Sequence, residues 1–214
     1  MKLTCLCVSV ALAGAAAAQV VPIDQEPHHH VEFGNESLRV ISPQIPPGET
    51  TLEHMHTHDE TTICIHGSST RGKPHDGEWG KPGMPCVPGN ASVAEYTGKP
   101  RSHSVENVGS DLFYLVLVEN LRDSGWKDNA ALVVPGLKTL RENRSFRIYD
   151  EDTASGGPAE HTHDAPTVVL LVSGEAQAGE KQLEQPGQWA LVPAGEKHRV
   201  NPKAGARVLE IEVR

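Results

Sequence analysis

The chain contains 214 residues, of which 37% are hydrophobic and 22% are charged, a composition typical of a globular protein with room for one large domain or two compact ones. Asp and Glu outnumber Lys and Arg by 28 to 19, which gives a formal net charge of -9 at pH 7. Binding to nucleic acid needs clustered cations, and no basic run occurs, so the sequence excludes a nucleic acid as a partner.

The first residues have the pattern of a secretory signal peptide. Lys2 is followed by the mostly apolar residues 3–12 and then by small residues up to Ala18, which is the order of regions that such signals share. The apolar stretch is shorter than the ~20 residues that span a membrane. The sequence therefore predicts a signal peptide over residues 1–18, a secreted or periplasmic location, and no membrane partner after cleavage.

Removal of that segment leaves two of the four cysteines, Cys64 and Cys86. An even pair in an exported protein predicts a disulfide, which would contribute about 3 kcal/mol by closing a loop of about twenty residues. Two buried free thiols are the alternative.

Short β-rich runs, separated by Pro and Gly, follow one another along the rest of the chain. They predict strands in residues 31–45, 61–69, 92–97, 112–119, 145–149, 167–173, 188–193 and 207–213. Turn signals such as Pro46-Pro47-Gly48 separate several of these runs. Many short strands with tight turns predict an all-β sandwich or closed barrel.

A diverged internal repeat divides the chain into two halves. Residues 37–41 and 145–149 have matching patterns, and each is followed by a His-x-His pair, a glycine and a further histidine. The equivalent positions are His54, His56, Gly67 and His103 in the first copy and His161, His163, Gly174 and His198 in the second. This ordered set predicts an N-terminal domain over residues 19–122, a linker over 123–143 and a C-terminal domain over 144–214.

The His-x-His pairs point to metal binding. Residues i and i+2 of a strand face the same side, so His54 and His56 aim two imidazoles at one point, as do His161 and His163. Neutral imidazole is a common ligand of transition metals. A third histidine from a distant strand and a carboxylate would complete a site with open positions, which is what metal catalysis needs.

These residues resemble the cupin superfamily, whose first motif is G-x5-H-x-H-x3,4-E-x6-G. Gly48, His54, His56, Glu60 and Gly67 satisfy its fixed positions. The end of the second motif is kept as His103 and Asn107. The resemblance implies that His54, His56, Glu60 and His103 are the metal ligands of the first half.

The second half departs from the motif at one position. Gly187, Pro193, Gly195 and His198 match the second motif, but Thr167 occupies the acidic position of the first. We therefore expect a carboxylate-free site made of His161, His163 and His198, or a domain that no longer does chemistry.

As a whole, the resemblance implies two tandem cupin jelly-roll β-barrels with a divalent transition metal: Mn, Fe, Ni or Zn. Metal-dependent oxidoreductases and lyases, including dioxygenases and decarboxylases, use this arrangement on small oxygenated or carboxylate substrates. The alternative is a non-catalytic protein that binds or stores a metal or small ligand. The sequence leaves open whether the protein forms a homo-oligomer.

Four further histidines are not expected to bind the metal. His28, His29 and His30 precede the first predicted strand and are expected to be solvated. His58 shares the strand parity of His54 and His56, and we expect it to support the ligands or to lie at the mouth of the site.

Overall fold

The computed structural model describes residues 20–122 and 129–214. The predicted signal peptide, residues 1–18, lies outside the described residues, as does the beginning of the predicted linker. Among the described residues, no helix has the length and hydropathy that a membrane crossing requires. Helix is confined to two 3-10 turns, Ile23–Gln25 and Thr153–Ser155, so the described chain is all-β.

The N-terminal half, residues 20–122, forms nine strands. They are β1 (Val21–Pro22), β2 (His29–Gly34), β3 (Leu38–Ile45), β4 (His54–His56), β5 (Asp59–His66), β6 (Thr70–Pro74), β7 (Ala91–Ala94), β8 (Arg101–Asn107) and β9 (Phe113–Asn120). A five-stranded sheet has the order β2-β3-β9-β5-β7, and a four-stranded sheet has the order β1-β4-β8-β6. The four-stranded sheet carries His54, His56 and His103.

The C-terminal half, residues 129–214, forms ten strands. They are β10 (Leu137–Glu142), β11 (Phe146–Glu151), β12 (His161–Thr162), β13 (Thr167–Ser173), β14 (Ala176–Ala178), β15 (Lys181–Leu183), β16 (Trp189–Val192), β17 (Lys197–His198), β18 (Val200–Pro202) and β19 (Arg207–Val213). Their sheets have the orders β10-β11-β19-β13-β16, β12-β17 and β15-β14-β18. Strand β10 falls within the predicted linker 123–143 and pairs with β11.

The two five-stranded sheets share one apolar core. Alternate residues of β3, β5 and β9, such as Val40, Ile63 and Val116, belong to the same buried cluster as Ile148 and Leu170 of the C-terminal half. Because successive strand residues face opposite sides, the other face of each sheet is turned toward the interior of its own half. In the N-terminal half that second face carries Ile45, Leu115 and Leu117, which face the histidines of the four-stranded sheet across a cavity.

Polar contacts join the halves at the edge of the shared core. The carboxylate of Asp59 accepts hydrogen bonds from Arg144 and from the hydroxyl of Ser145. Trp189 donates its indole N–H to Glu32 at 2.6 Å. These contacts bind strands of one half to loops and strands of the other.

Cys64 and Cys86 form a disulfide across 22 positions of sequence. The loop it anchors runs so close to Gly67 that a Cβ there would lie 2.0 Å from the carbonyl oxygen of Cys86. Glycine is therefore required at position 67 for close packing of two backbones.

Most predicted strands are present with shifted ends, and one prediction needs correction. Residues 31–45 form two strands, β2 and β3, instead of one. The side chain of Asn35 accepts hydrogen bonds from the backbone N–H groups of Ser37 and Leu38, which closes a tight turn between them.

Candidate metal centre

Three histidines of the N-terminal half converge on one point, and we call them the first histidine group. His54 and His56 lie on β4, and His103 lies directly opposite His54 on β8. The Nε2 atom of His103 is 3.1 Å from Nε2 of His54 and 3.2 Å from Nε2 of His56. All three nitrogen atoms lie within 4.8 Å of one another.

Hydrogen bonds at the outer ring nitrogens fix the tautomers of two of these rings. Nδ1 of His54 is 2.9 Å from the carbonyl oxygen of Leu52, so it must carry the proton and donate. Nδ1 of His56 donates in the same way to Oε2 of Glu60 at 2.6 Å. Both Nε2 atoms therefore present lone pairs to the same point, as metal-binding histidines do.

The protein environment keeps the imidazoles of His54 and His103 neutral. Burial, together with neighbouring histidines, lowers the pKa of His54 to about 3. Burial likewise lowers the pKa of His103 to about 4, with further contributions from His56 and Arg101. Because a metal binds the neutral imidazole, no proton competes for these two nitrogens at neutral pH.

The spacing of the nitrogens fits a transition-metal ion. Two nitrogen ligands about 2.1 Å from one ion, and roughly 90–110° apart, lie about 3.0–3.4 Å from each other. The separations of 3.1 and 3.2 Å fall in this range. The residues present therefore fit a divalent metal bound on one face by three imidazoles.

The first histidine group opens onto a cavity of about 350 Å³. Apolar side chains of the five-stranded sheet, including Ile45, Leu115 and Leu117, form part of its wall. Tyr96 lies on another side, with its ring centroid 5.3 Å from that of His56. The volume is in the range of small-molecule sites.

A second donor group lies at the equivalent place in the C-terminal half and consists of His161, His163, His198 and Glu210. His161 faces His198 across the β12–β17 pair, and Glu210 projects from β19. Oε2 of Glu210 is 2.9 Å from Nε2 of His161, 2.6 Å from that of His163 and 3.3 Å from that of His198. All four donor atoms lie within 4.8 Å of one another.

Electrostatics in this group differ from those of the first. Burial alone would raise the pKa of Glu210, but hydrogen bonds from the three imidazoles outweigh it and hold the pKa well below its usual range. Burial alone would lower the pKa of His161, and the carboxylate of Glu210 raises it instead. A positive charge is thus stabilised between these two residues.

The described structure is similar to solved structures at low sequence identity. A cupin 2 conserved barrel domain protein from Leptotrichia buccalis gives a TM-score of 0.52 at 12% identity, covering 95% of this chain and 93% of that chain. Salicylate 1,2-dioxygenase from Pseudaminobacter salicylatoxidans gives 0.57 at 11% identity, covering 86% and 76%. The bacterial pirin YhhW from Escherichia coli, in complex with nickel(II), gives 0.57 at 12% identity, covering 86% and 90%.

The chain has the cupin fold. No protein family model and no curated protein matches the sequence. The resemblance seen in the histidine spacing thus agrees with the fold.

The cupin motif assigns Glu60 as a ligand, but the structure gives it a different contact. Its Oε2 atom accepts the hydrogen bond from Nδ1 of His56, and Glu60 is absent from the group of converging donor atoms. Its contact orients the ring of His56 and increases the basicity of Nε2.

The expectation of a carboxylate-free second group is wrong. Thr167 does occupy the acidic position of the cupin motif, but Glu210 supplies a carboxylate from another strand. The sequence contained a signal for it, since Glu210 and Glu212 alternate with the apolar residues of 208–213. Such buried carboxylates need a partner or an ion.

His29 also departs from expectation, because it is buried and lines the first cavity. Its ring centroid is 4.6 Å from that of His54, and its Nδ1 contacts the buried carboxylate of Glu26. Burial would raise the pKa of Glu26, but hydrogen bonds from His29 and His28 outweigh it and lower the pKa to about 2. The charged carboxylate fixes the ring of His29 beside the candidate metal position.

Other histidines lie away from both groups. His30 is exposed. His58 lines a separate cleft together with Val21 and Met55. Nδ1 of His66, which is exposed, bonds to the carbonyl oxygen of Leu112.

Proposed function

We propose that this chain is a secreted or periplasmic metalloprotein with two tandem cupin jelly-roll β-barrels, residues 19–122 and 144–214, and that β10 of the connecting residues 123–143 adds a strand to the second. The internal sequence repeat supports this division. So does the strand pairing, because the sheets of the described residues are each built from one half of the chain. The signal-like pattern of residues 1–18 supports export.

We further propose that the first histidine group holds a divalent transition metal, Mn, Fe, Ni or Zn, and that this is the reactive site. The observation that carries the proposal is the convergence of three Nε2 atoms on the wall of the 350 Å³ cavity. Three protein nitrogens leave open positions on the ion for a ligand.

The substrate class that fits this cavity is a small oxygenated molecule or carboxylate. When bound, the ion would act as a Lewis acid toward an oxygen atom of the substrate. The chain itself supplies apolar walls that exclude water and orient the rest of the molecule, through residues such as Ile45 and Leu117. A reaction of the dioxygenase, decarboxylase or lyase type is therefore proposed.

Two neighbours in fold support this class of chemistry without defining it. One is named salicylate 1,2-dioxygenase, and a variant of that enzyme has been solved in complex with gentisate. Another binds nickel(II).

The proposal is tested by measuring metal content in purified protein and in two variants. We expect His54→Ala to lose the ion of the first histidine group, because one of three ligands is gone. The control, His30→Ala, replaces an exposed histidine and should keep the wild-type content. An unchanged metal content in His54→Ala would refute the ligand assignment.

Open positions are tested separately by loading the protein with Co²⁺ and adding azide. A change in the visible spectrum that is present in wild type and absent in His54→Ala supports a reactive site. A spectrum that azide leaves unchanged in wild type would favour the alternative, a non-catalytic metal-binding cupin.

A further inference from the structure

Buried carboxyl oxygens without a hydrogen-bond partner lie in and beside the second donor group. Both side-chain oxygens of Glu151 and Oε1 of Glu210 are buried without a well-oriented hydrogen-bond partner among the described residues. Glu151 is only 5% exposed. It lies on β11, which pairs with β19, and its side chain contacts that of Glu210. Unpaired carboxyl groups in an apolar interior are destabilising unless a cation or proton compensates them.

The tautomer of His161 is also the one that a metal ligand needs. Its Nδ1 is 2.8 Å from the carbonyl oxygen of Ala159, so Nδ1 carries a proton and donates. For a neutral ring, Nε2 then holds a lone pair, which faces the carboxylate oxygen of Glu210 at 2.9 Å. Two acceptors at this distance need a proton or a metal ion between them, and a metal ion bound by both would meet that need.

The surroundings of the group leave little room for a substrate. His163 and Glu210 are 0% exposed, and His198 is 7% exposed. The neighbouring interior is filled by a cluster of buried apolar side chains. Its described members are Val169, Leu171, Ala176, Ala178, Leu183, Ala190, Val192, Val200, Ala206 and Val208.

Strand register shows that the two carboxyl groups are specific to the second half. Glu210 pairs with Tyr149 and Val169, and the position with the equivalent pairings in the first half is Leu117. The equivalent of Glu151 is Pro43, which pairs with β2 as Glu151 pairs with β10. The fold therefore does not require an acidic residue at either position.

We propose that the second donor group is a closed structural metal site, in which His161, His163, His198 and Glu210 bind a divalent cation that stabilises the C-terminal half and meets no substrate. The inference rests on the proposed function insofar as the protein is a metalloprotein. It assigns the carboxylate ligand to β19, whereas the motif resemblance places that ligand at the position of Thr167.

Glu151 is the positioning residue of this site. It is the carboxyl group next to the free oxygen of Glu210, and in the loaded site it would donate a hydrogen bond to that oxygen and hold Glu210 toward the cation. A glutamine at position 151 keeps a donor for that bond, while a leucine of similar size removes it.

The experiment strips the full chain of metal, reloads it with Zn²⁺ and counts bound zinc per chain. We expect two ions in wild type, one in the double variant His54→Ala/His56→Ala and one in Glu210→Gln. The ion that remains in Glu210→Gln reports that the chain has folded. His198→Gln provides the same test if Glu210→Gln does not fold.

Thermal unfolding then identifies the structural ion. EDTA should lower the Tm of His54→Ala/His56→Ala by about 5–10 °C, because only the second ion is left to remove. For Glu210→Gln, which holds only the first ion, EDTA should lower the Tm by a smaller amount, because three protein ligands bind zinc more weakly than four. Glu151→Gln should bind zinc at the second site as tightly as wild type does. Glu151→Leu should bind it there about tenfold more weakly.

The possible results separate this inference from the proposed function. Two zinc ions in both Glu210→Gln and His198→Gln, or a Tm of His54→Ala/His56→Ala that EDTA leaves unchanged, would overturn the inference. Equal zinc affinity in Glu151→Leu and wild type would overturn the role of Glu151. One ion in both wild type and His54→Ala/His56→Ala, with none in Glu210→Gln, would refute the first metal site and support the second.

Discussion

The interiors of the two halves differ although their strands are equivalent. The first half encloses a cavity of about 350 Å³ beside its histidines, while the second is packed with buried apolar side chains. Thr62 and Ser92 face each other in the first half, and Val169 and Ala190 form the equivalent pair in the second. Room for a ligand therefore depends on side chains at a few interior positions, and not on the strand framework.

The position of the acidic residue differs as well. In the first half Glu60 lies on β5 and binds His56. In the second half the equivalent residue is Thr167, and the carboxylate comes from Glu210 on β19. The comparison shows that a carboxylate can reach the histidines of a half from either of two neighbouring strands.

Truncation of one leucine in each interior should give the largest difference between the halves. Leu171 is fully buried in the packed cluster, so Leu171→Ala should reduce the free energy of unfolding by about 3 kcal/mol. Leu115 lines the existing cavity, and Leu115→Ala should lose only about 1 kcal/mol because fewer contacts are removed. Urea unfolding measures both, and equal losses would contradict the contrast in packing.

The disulfide stabilises the half that has the cavity. Cys64 pairs with Leu115 on β9, and the equivalent residue of the second half is Leu171 in the packed cluster. We expect the double variant Cys64→Ser/Cys86→Ser to lose about 3 kcal/mol of stability. Reductant should lower the Tm of wild type toward that of the variant and leave the variant unchanged. If reductant leaves the Tm of wild type unchanged, the disulfide does not stabilise the first half, and the prediction is wrong.

Asp59 of the first half contacts Arg144 and Ser145 of the second, so mutation of Asp59 tests whether the two halves stabilise each other. Burial opposes the charge on Asp59, but hydrogen bonds from Arg144 and Ser145 outweigh it and lower the pKa from 3.8 to about 2. Because the folded pKa is lowered, the contribution is fully present above pH 3.8 and is lost as the pH falls through about 2.

We therefore expect Asp59→Asn to reduce the free energy of unfolding by about 2 kcal/mol at pH 7. The difference from wild type should shrink between pH 4 and pH 2, in unfolding curves measured across that range. A difference that stays constant down to pH 2 would show that the charge of Asp59 is not the stabilising feature.

The smallest expected effect concerns Glu60. If Glu60 only orients His56, Glu60→Gln should reduce zinc affinity at the first site by about tenfold and leave the second site unchanged. If Glu60 binds the ion directly, as the motif resemblance implies, a much larger loss is expected. Competition with a chelating indicator distinguishes the two cases.

The sequence was sufficient to predict an all-β cupin fold and the histidines that converge in each group. The His-x-His spacing and strand parity bring His54 and His56 together, and the repeat identifies His161 and His163. Spacing in the second motif locates His103 and His198. These predictions succeed because the period of a strand is fixed by backbone geometry.

The remaining features depend on contacts between distant strands. Glu210 joins His163 across 47 positions of sequence, and motif spacing alone does not relate them. His29 was expected to be solvated because of its place before the first predicted strand, but β2 begins at this residue and buries it. The cavity likewise results from the volumes of side chains on several strands, which no local pattern reports.

Anomalous diffraction at the zinc absorption edge, from crystals of zinc-loaded protein, tests the central claim most directly. The account expects one peak between the Nε2 atoms of His54, His56 and His103, beside the open cavity. It expects a second peak between His161, His163, His198 and Glu210 in the closed interior. Absence of the first peak, or a first peak whose coordination is completed by protein atoms alone, would contradict the assignment of reactive chemistry to the first half.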